Sequence, residues 1–190
     1  MTEGGSQHPH DRALLDALES LPSEAFADEV WRVTARGRDP LRGSNAGGRW
    51  NPPGAFEVLY TCLSDAGALA EIGYRLSLEP VWPSRLQHEI HRIAARTHRS
   101  LRFADIGSLS PLGVDVRRYA SFDYSATQAI ASAAFFLDFD GLLVPSARSP
   151  GLNLVIFTEK LEPGEDLQLA ASAPVDWPQW RARHRKPPVT

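Results

Sequence analysis

The sequence has little sulfur, no long apolar run and no large excess of charge of one sign. Its one cysteine, Cys62, cannot form an internal disulfide, which favours a reducing compartment and predicts a cytoplasmic protein. No stretch reaches the roughly 18 apolar residues that a membrane-spanning helix needs, and the polar start of the chain lacks the apolar core of a signal peptide. The formal net charge of −3 argues against general nucleic-acid binding, which normally requires a basic face.

Several catalytic motifs are missing as well. The chain contains no G-x-G-x-x-G, no Walker loop and no G-x-S-x-G elbow, so nothing in it supports a Rossmann, P-loop or α/β-hydrolase fold. The run His88-Glu89-Ile90-His91 lacks the i, i+4 spacing of a zinc protease helix, and no cysteine cluster accompanies it. We therefore predict no metal site.

The residues that are present fit one globular unit. With 190 residues, 43% of them hydrophobic and 23% charged, the chain is long enough to bury a sizeable core. We predict an N-terminal lead with a short helix over residues 1–28, a main domain over residues 29–160, and a partly irregular C-terminal extension over residues 161–190. Strands and helices mix without regular βα alternation, which predicts an α+β fold.

Hydrophobic periodicity and capping residues locate the elements. We predict helices at residues 11–20, 65–78 and 125–137, the second of them capped by Ser64. We predict strands at residues 29–34, 58–63, 101–104, 142–144 and 153–158. The last of these is apolar enough to be buried on both faces, whereas residues 88–94 fit either a strand or a helix. From Pro174 onwards the chain is rich in proline, tryptophan and arginine and is expected to be irregular or mobile.

A long loop rich in glycine and arginine occupies residues 35–54, and loops of this length in a compact domain are usually functional or disordered. Arg49 stands out there, because two glycines precede it and a tryptophan follows it. Glycine lets a backbone approach a ligand closely, and a planar guanidinium matches phosphate oxygens. The other loop arginines, at positions 36, 38 and 42, fit a solvated basic surface. Arg32, in the preceding strand, fits either an exposed edge or an inward position facing an anion.

Three further polar residues lie in or near the ends of predicted elements. Tyr60 lies eleven residues after Arg49 and fits either a core aromatic or a ligand contact. Glu71 lies eleven residues after Tyr60, and fits either a ligand-facing carboxylate or an exposed ion pair with Arg75. Ser146 follows a strand, where it can cap the turn or bond a ligand. A guanidinium, a phenol and a carboxylate in this order suit an anionic ligand with a ring and a glycosidic bond, such as a nucleotide.

Taken together, the segments around these residues resemble the RES domain family, named for an arginine, a glutamate and a serine. The matching segments are Trp31–Val33, Gly47–Asn51, Leu59–Thr61, Ala68–Glu71, Gly141–Arg148 and Asn153–Phe157. The resemblance implies a fold similar to that of ADP-ribosyltransferases, a single domain of twisted mixed or antiparallel strands with flanking helices. It also implies the toxin of a type II toxin–antitoxin pair that acts on NAD, with an Xre-like helix-turn-helix antitoxin as its partner in a hetero-oligomer.

The same resemblance implies which residues form the pocket: Arg32, Arg49, Tyr60, Glu71 and Ser146, with Asn153 as a further candidate. Glu71 is expected to be catalytic together with Arg49 and Tyr60, because its carboxylate can stabilise the positive charge that develops on the ribose as the nicotinamide–ribose bond breaks. Arg32 and Arg49 are expected to bind the pyrophosphate, and Ser146 to bind nicotinamide or ribose. NAD is then a substrate, and no prosthetic group is implied.

Several alternatives stay open. The ribosyl group can pass to water, to inorganic phosphate or to a protein side chain, and the lack of a motif for a target protein favours the first two. Arg42 and Arg148 are candidates for holding a phosphate co-substrate. The pocket can also belong to a non-catalytic nucleotide-binding or interaction module. Nucleic-acid binding by the tail around residues 181–186 is a further alternative, which we disfavour because a few charges on a tail are usually solvated.

Overall fold

The structure is a computed structural model that describes residues 11–162 and 164–184. In chain order the described elements are α1 (Arg12–Glu19), β1 (Ser23–Ala35), β2 (Val58–Cys62), α2 (Asp65–Ser77), β3 (His88–Arg102), α3 (Ser125–Phe136), β4 (Gly141–Pro145), β5 (Leu152–Phe157), β6 (Leu167–Pro174) and α4 (Trp177–His184). Short 3-10 helices occupy Gly107–Leu112, Val116–Arg118 and Thr158–Lys160.

The strands form one sheet in the order β1-β2-β5-β4-β3-β6, and β1 also pairs with β3. Because β1 pairs with both β2 and β3, the first five strands close into a circuit, and β6 is added on β3. Only the β3–β4 pair is parallel. A mixed, mostly antiparallel sheet with flanking helices is the α+β fold that the sequence predicts.

Side chains of the central strands alternate between two buried faces. One face carries Leu59, Leu143 and Ile156, which form a core cluster with Val30 of β1. The opposite face carries residues that pack with Leu18 of α1 and with the alanine-rich face of α3, among them Val58, Val144, Val155 and Phe157. The predicted burial of β5 on both faces is therefore confirmed.

A third apolar cluster lies beneath α2 and fixes that helix over β1 and β2. It contains Val33, Cys62, Ala68, Leu76 and Trp177. The predicted cap of α2 is confirmed, because the Ser64 side chain accepts a hydrogen bond from the backbone N–H of Gly67 at 3.1 Å. The other two predicted helices are also present close to their expected bounds.

β1 and β3 are both longer than the sequence pattern indicates. They pair with each other along most of their length, from Ser23 opposite Leu101 to Ala35 opposite His88. Many outward positions in this pair are polar and exposed, and cross-strand ion pairs join Glu29 to Arg92 at 3.4 Å and Glu24 to Arg102 at 3.1 Å. Such strands show only weak hydrophobic alternation, which is why the prediction started β1 at residue 29 and left residues 88–94 undecided.

The expectation of an irregular or mobile segment from Pro174 onwards is wrong for the described residues, since α4 occupies Trp177–His184. Trp177 is buried, and its Nε1 donates to His88 Nδ1 at 3.1 Å. Trp180 packs so closely on α2 that a Cβ at Gly73 would lie 2.3 Å from its ring. These ring contacts hold α4 in place where composition alone suggested no structure. Arg185 and Lys186 lie outside the described residues.

No helix in the described part of the chain is long and apolar enough to cross a bilayer.

Candidate functional site

The carboxylate of Glu71 lies where α2, β4 and β5 meet. Its Oε1 accepts a hydrogen bond from Ser146 Oγ at 2.7 Å and another from Asn153 Nδ2 at 3.2 Å. Ser146 directly follows β4, and Asn153 is the second residue of β5, which runs antiparallel to β4. Three of the residues predicted from the sequence are thus in contact, although they lie far apart along the chain.

The register of the sheet explains this convergence. Asn153 pairs with Val144 on one side and with Cys62 on the other, so its side chain lies on the face that α2 covers. The first turn of α2 also approaches the turn after β4 closely, because a Cβ at Gly67 would lie 3.4 Å from Ser149 Oγ. The first turn of α2 and the Ser146 turn therefore lie next to each other.

The alternative of a surface ion pair between Glu71 and Arg75 is not what the structure shows. Glu71 is half-buried, and no ion pair within 4.0 Å joins it to Arg75 or to any other cation of the described residues. Both of its hydrogen bonds use Oε1, so Oε2 has no protein donor in residues 11–162 and 164–184. The site therefore holds one carboxylate oxygen in place and leaves the other able to accept a hydrogen bond.

Two buried groups beside Glu71 have raised pKa values. Burial, with a smaller contribution from the Glu71 charge, raises the pKa of the Cys62 thiol to about 12. Burial also raises the pKa of the Tyr119 phenol to about 12, where the charge of Arg49 opposes the shift and that of Glu71 adds to it. Both groups are therefore protonated at neutral pH. Cys62 cannot act as a thiolate nucleophile there, because the reactive form of cysteine is the thiolate.

Tyr60 organises the loop that contains Arg49. Its hydroxyl donates to Asn51 Oδ1 at 2.7 Å and accepts from the backbone N–H of Trp50 at 2.9 Å. Burial raises the pKa of Tyr60 above its ordinary value, so the phenol stays protonated and keeps both bonds. A Cβ at Gly48 would lie 2.6 Å from the Tyr60 hydroxyl. Gly48 thus makes room for Tyr60, which is a different reason for the glycine from the ligand contact expected from the sequence.

Arg49 holds a second segment against this loop. Its guanidinium donates to the backbone carbonyl of Tyr119 and to that of Ser121, the latter at 3.2 Å. The same group lies between two rings, 4.8 Å from the centroid of Tyr119 and 4.7 Å from that of Tyr124. Cation–π contacts of this kind orient a guanidinium as well as bind it. Arg49 is therefore half-buried and fixed, and its remaining N–H groups have no acceptor in the described part of the chain.

Arg32 does not join these residues. Its neighbours Trp31 and Val33 pack in the cluster under α2, so the Arg32 side chain lies on the opposite face of β1. There it donates to the backbone carbonyls of Pro40 at 2.8 Å and Arg42 at 2.9 Å. Burial and the nearby Arg38 lower the pKa of Arg32 to about 10, which leaves it charged at neutral pH. Arg32 thus braces the loop that leads to Arg49, and a direct contact with NAD stays a prediction.

Sequence reasoning missed several residues that complete the site. Tyr119 donates from its hydroxyl to the carbonyl of Pro145 at 2.7 Å, next to Ser146, and so joins the Arg49 segment to the end of β4. Gln128 of α3 donates to the carbonyl of Gly48 at 2.8 Å. The only sequence signal for these two residues is the clustering of aromatic residues at positions 119–124. Asn153, which was predicted, has a buried side-chain oxygen with no hydrogen-bond partner within the described residues.

The described residues contain no group of three or more histidine, cysteine, aspartate or glutamate side chains that could hold a metal ion.

Comparisons with known proteins show what the chain is similar to. The sequence matches the RES domain family over residues 29–183. Two relatives from Mycobacterium tuberculosis H37Rv are named NAD(+) phosphorylase MbcT and probable NAD(+) phosphorylase Rv3189. MbcT is 27% identical over 168 residues, which is 85% of this chain and 90% of MbcT. Rv3189 is 33% identical over 156 residues, which is 78% of this chain and 73% of Rv3189.

A solved structure is similar as well. The crystal structure of the M. tuberculosis MbcT–MbcA toxin–antitoxin complex aligns with a TM-score of 0.78 and 25% sequence identity, covering 90% of this chain and 97% of the matched one. The match extends past residue 160 into β6 and α4, so these late elements belong to the shared region. On the family match and the similarity to these relatives, the chain belongs to the RES domain family.

Proposed function

We propose that this protein degrades NAD by cleaving the nicotinamide–ribose bond, with inorganic phosphate as the acceptor. The observation that carries the proposal is the Glu71 carboxylate, which Ser146 and Asn153 anchor through Oε1 while Oε2 stays available. The names of the relatives, both NAD(+) phosphorylases, support phosphate over water as the acceptor.

The chemistry explains why an anchored carboxylate matters. As the bond to nicotinamide breaks, the ribose acquires oxocarbenium character, and a negative charge beside it lowers the energy of that transition state. Glu71 Oε2 is assigned to accept a hydrogen bond from a ribose hydroxyl and to face the developing cation. Ser146 and Asn153 act as positioning residues, because they fix the carboxylate before the substrate arrives.

Bond cleavage and bond formation balance in atoms and charge without an additional cofactor. The electron pair of the breaking C–N bond moves to the pyridinium nitrogen, so nicotinamide leaves as a neutral molecule and needs no proton. An anionic oxygen of hydrogen phosphate forms the new bond to the anomeric carbon. The products are nicotinamide and ADP-ribose phosphorylated at that carbon.

The remaining predicted residues are assigned by their surroundings. Arg49 can reach the pyrophosphate with the N–H groups that Tyr119 and Ser121 leave free. Tyr60 and its loop form the wall that the nicotinamide or its ribose contacts. Arg32 is assigned an indirect role through the loop carbonyls that it holds. NAD and phosphate are substrates in this scheme, and no resident cofactor is required.

A protein antitoxin is the proposed partner. The similar crystal structure is that of a toxin–antitoxin complex, and an enzyme that consumes NAD must be restrained in the cell that makes it. We expect an Xre-like helix-turn-helix protein that covers the mouth of the pocket in a cytoplasmic hetero-oligomer. Nicotinamide release by the purified protein should then fall as this partner is added.

Product analysis separates the competing functions. The purified protein is incubated with NAD, with and without phosphate, and the products are resolved by chromatography. The proposal predicts nicotinamide plus the phosphate ester of ADP-ribose only when phosphate is present. Free ADP-ribose regardless of phosphate indicates a glycohydrolase, and label transferred to protein indicates an ADP-ribosyltransferase. Saturable NAD binding without nicotinamide release indicates a non-catalytic module.

A further inference from the structure

Arg148 is a fixed cation with no role yet assigned in the proposed cleavage of NAD. Its Nη2 donates to the carbonyl of Ala120 at 3.0 Å, and its guanidinium lies 3.6 Å from the centroid of the Tyr74 ring. The exposed ring of Phe122 lies on the same guanidinium at 6.0 Å. One bond and two rings hold the group in place, and its other N–H groups have no acceptor among the described residues.

No carboxylate of the described residues neutralises the charge of Arg148. The ion pairs within residues 11–162 and 164–184 do not include Arg148. The side chain is half-buried, so its charge is less well solvated than that of a free surface arginine. A held guanidinium with spare donors and no counter-ion favours binding of a small anion, and it matches phosphate oxygens in particular.

Two links place this cation beside Glu71. Tyr74 lies three residues after Glu71 on α2, so the two side chains occupy the same face of the helix, about 5–6 Å apart at their Cβ atoms. In addition, the backbone N–H groups of Arg148 and Ser149 both donate to Ser146 Oγ at 3.1 Å, and that same hydroxyl donates to Glu71. The turn that carries Arg148 is therefore tied directly to the carboxylate.

Other arginines are less suited to this task. Arg49 is already assigned to the pyrophosphate of NAD, and Arg32 lies on the other face of β1. Arg42 is exposed, and its carbonyl contacts Arg32.

We propose that Arg148 forms the subsite for the inorganic phosphate acceptor and so determines that the enzyme transfers the ribosyl group to phosphate. This inference rests on the proposed function. Arg148 binds hydrogen phosphate beside the ribose, and an anionic phosphate oxygen attacks the anomeric carbon as nicotinamide leaves. The phosphate groups of NAD offer Arg148 the same oxygen acceptors as inorganic phosphate. The test must therefore separate binding of inorganic phosphate from binding of NAD.

The test measures nicotinamide release at saturating NAD while phosphate is varied, and then at saturating phosphate while NAD is varied. Arg148→Gln should raise the KM for phosphate by about 10- to 100-fold, the size expected for lost charge-assisted hydrogen bonds. Its KM for NAD should change by no more than about twofold. Arg148→Lys, which keeps the charge but loses the planar fork, should lie between Arg148→Gln and the wild type.

Arg117→Gln is the matched control, because Arg117 is 93% exposed. An unchanged KM for phosphate in both Arg148 variants would overturn the inference. A raised KM for NAD with an unchanged KM for phosphate would overturn it too, and would assign Arg148 to the substrate pyrophosphate. If the wild type releases no nicotinamide even with phosphate, the proposed function fails and the subsite with it.

Discussion

The Ser146 hydroxyl has three hydrogen-bond partners, one of which is the reactive carboxylate. Its Oγ donates to Glu71 and accepts from two successive backbone N–H groups. Ser146 is buried, with a relative exposure of 6%, so water cannot easily replace its hydroxyl. Its proton is directed at Glu71, because the two backbone groups can only donate.

We expect Ser146→Ala to lower kcat for nicotinamide release by about tenfold or more, since the loss of one hydrogen bond to a charged group is worth about 1.5–3 kcal/mol. The KM for NAD should change less, because the carboxylate acts mainly on the transition state. Ser20→Ala is the control, an exposed serine at the end of α1. A Ser146→Ala enzyme with wild-type kcat would show that the anchoring bond is dispensable.

Loss of the Tyr60 hydroxyl should lower the stability of the fold. Tyr60→Phe removes the acceptor of the Trp50 N–H and the donor to Asn51, and leaves both partners unsatisfied in a mostly buried loop. We expect the free energy of unfolding in urea to fall by about 1–3 kcal/mol. Tyr124→Phe is the matched control, since the Tyr124 hydroxyl makes no hydrogen bond to the described residues. Equal stability of the two variants would contradict the role assigned to the Tyr60 hydroxyl.

At the scale of elements, His91 joins three strands. It is 3% exposed in β3, with Nε2 at 2.9 Å from Thr34 Oγ1 of β1 and Nδ1 at 2.8 Å from Ser172 Oγ of β6. Burial lowers the pKa of His91, the charge of Glu89 opposes the shift, and that of Arg32 adds to it. The folded protein thus favours neutral His91.

Because the pKa of His91 is lower in the folded protein than in the unfolded chain, the free energy of unfolding should depend on pH. Below about pH 6.5 the unfolded chain binds a proton at position 91 that the folded chain resists, so the free energy of unfolding falls as the pH drops towards the lowered pKa. Urea midpoints measured between about pH 7.5 and 5.5 should therefore fall less steeply for His91→Gln than for the wild type. An unchanged slope for His91→Gln would mean that His91 protonates equally in both states.

Across the whole molecule, the elements and contacts that could be predicted are those with a strong signal in the local sequence. Ser64 caps α2 as predicted, and the segments that carry Glu71, Ser146 and Asn153 come together. Their convergence depends on the β4–β5 register, which the apolar run of β5 helps to set. The position of Arg49 was not predictable in the same way, because its partners Tyr119 and Tyr124 lie in a region of 3-10 turns without periodicity.

The face of a strand and the order of a tail depend on distant contacts as well. The direction of the Arg32 side chain depends on which face of β1 is covered by α2. The local sequence pattern does not indicate that face. The described tail is ordered by Trp177 against His88 and by Trp180 against Gly73, contacts between residues far apart in the chain. Composition predicted an irregular or mobile tail there, because it contains no information about such partners.

The proposed cleavage of NAD requires a charged Glu71 beside the ribose. Glu71→Gln keeps the shape and an oxygen that can accept from Ser146 and Asn153, but it removes the negative charge. Glu79→Gln, an exposed position just after α2, is the control. The direct measurement is the rate of nicotinamide release at saturating NAD and phosphate. We predict that this rate falls about 10²- to 10³-fold in Glu71→Gln alone. Wild-type turnover in that variant would contradict a catalytic role for the Glu71 charge.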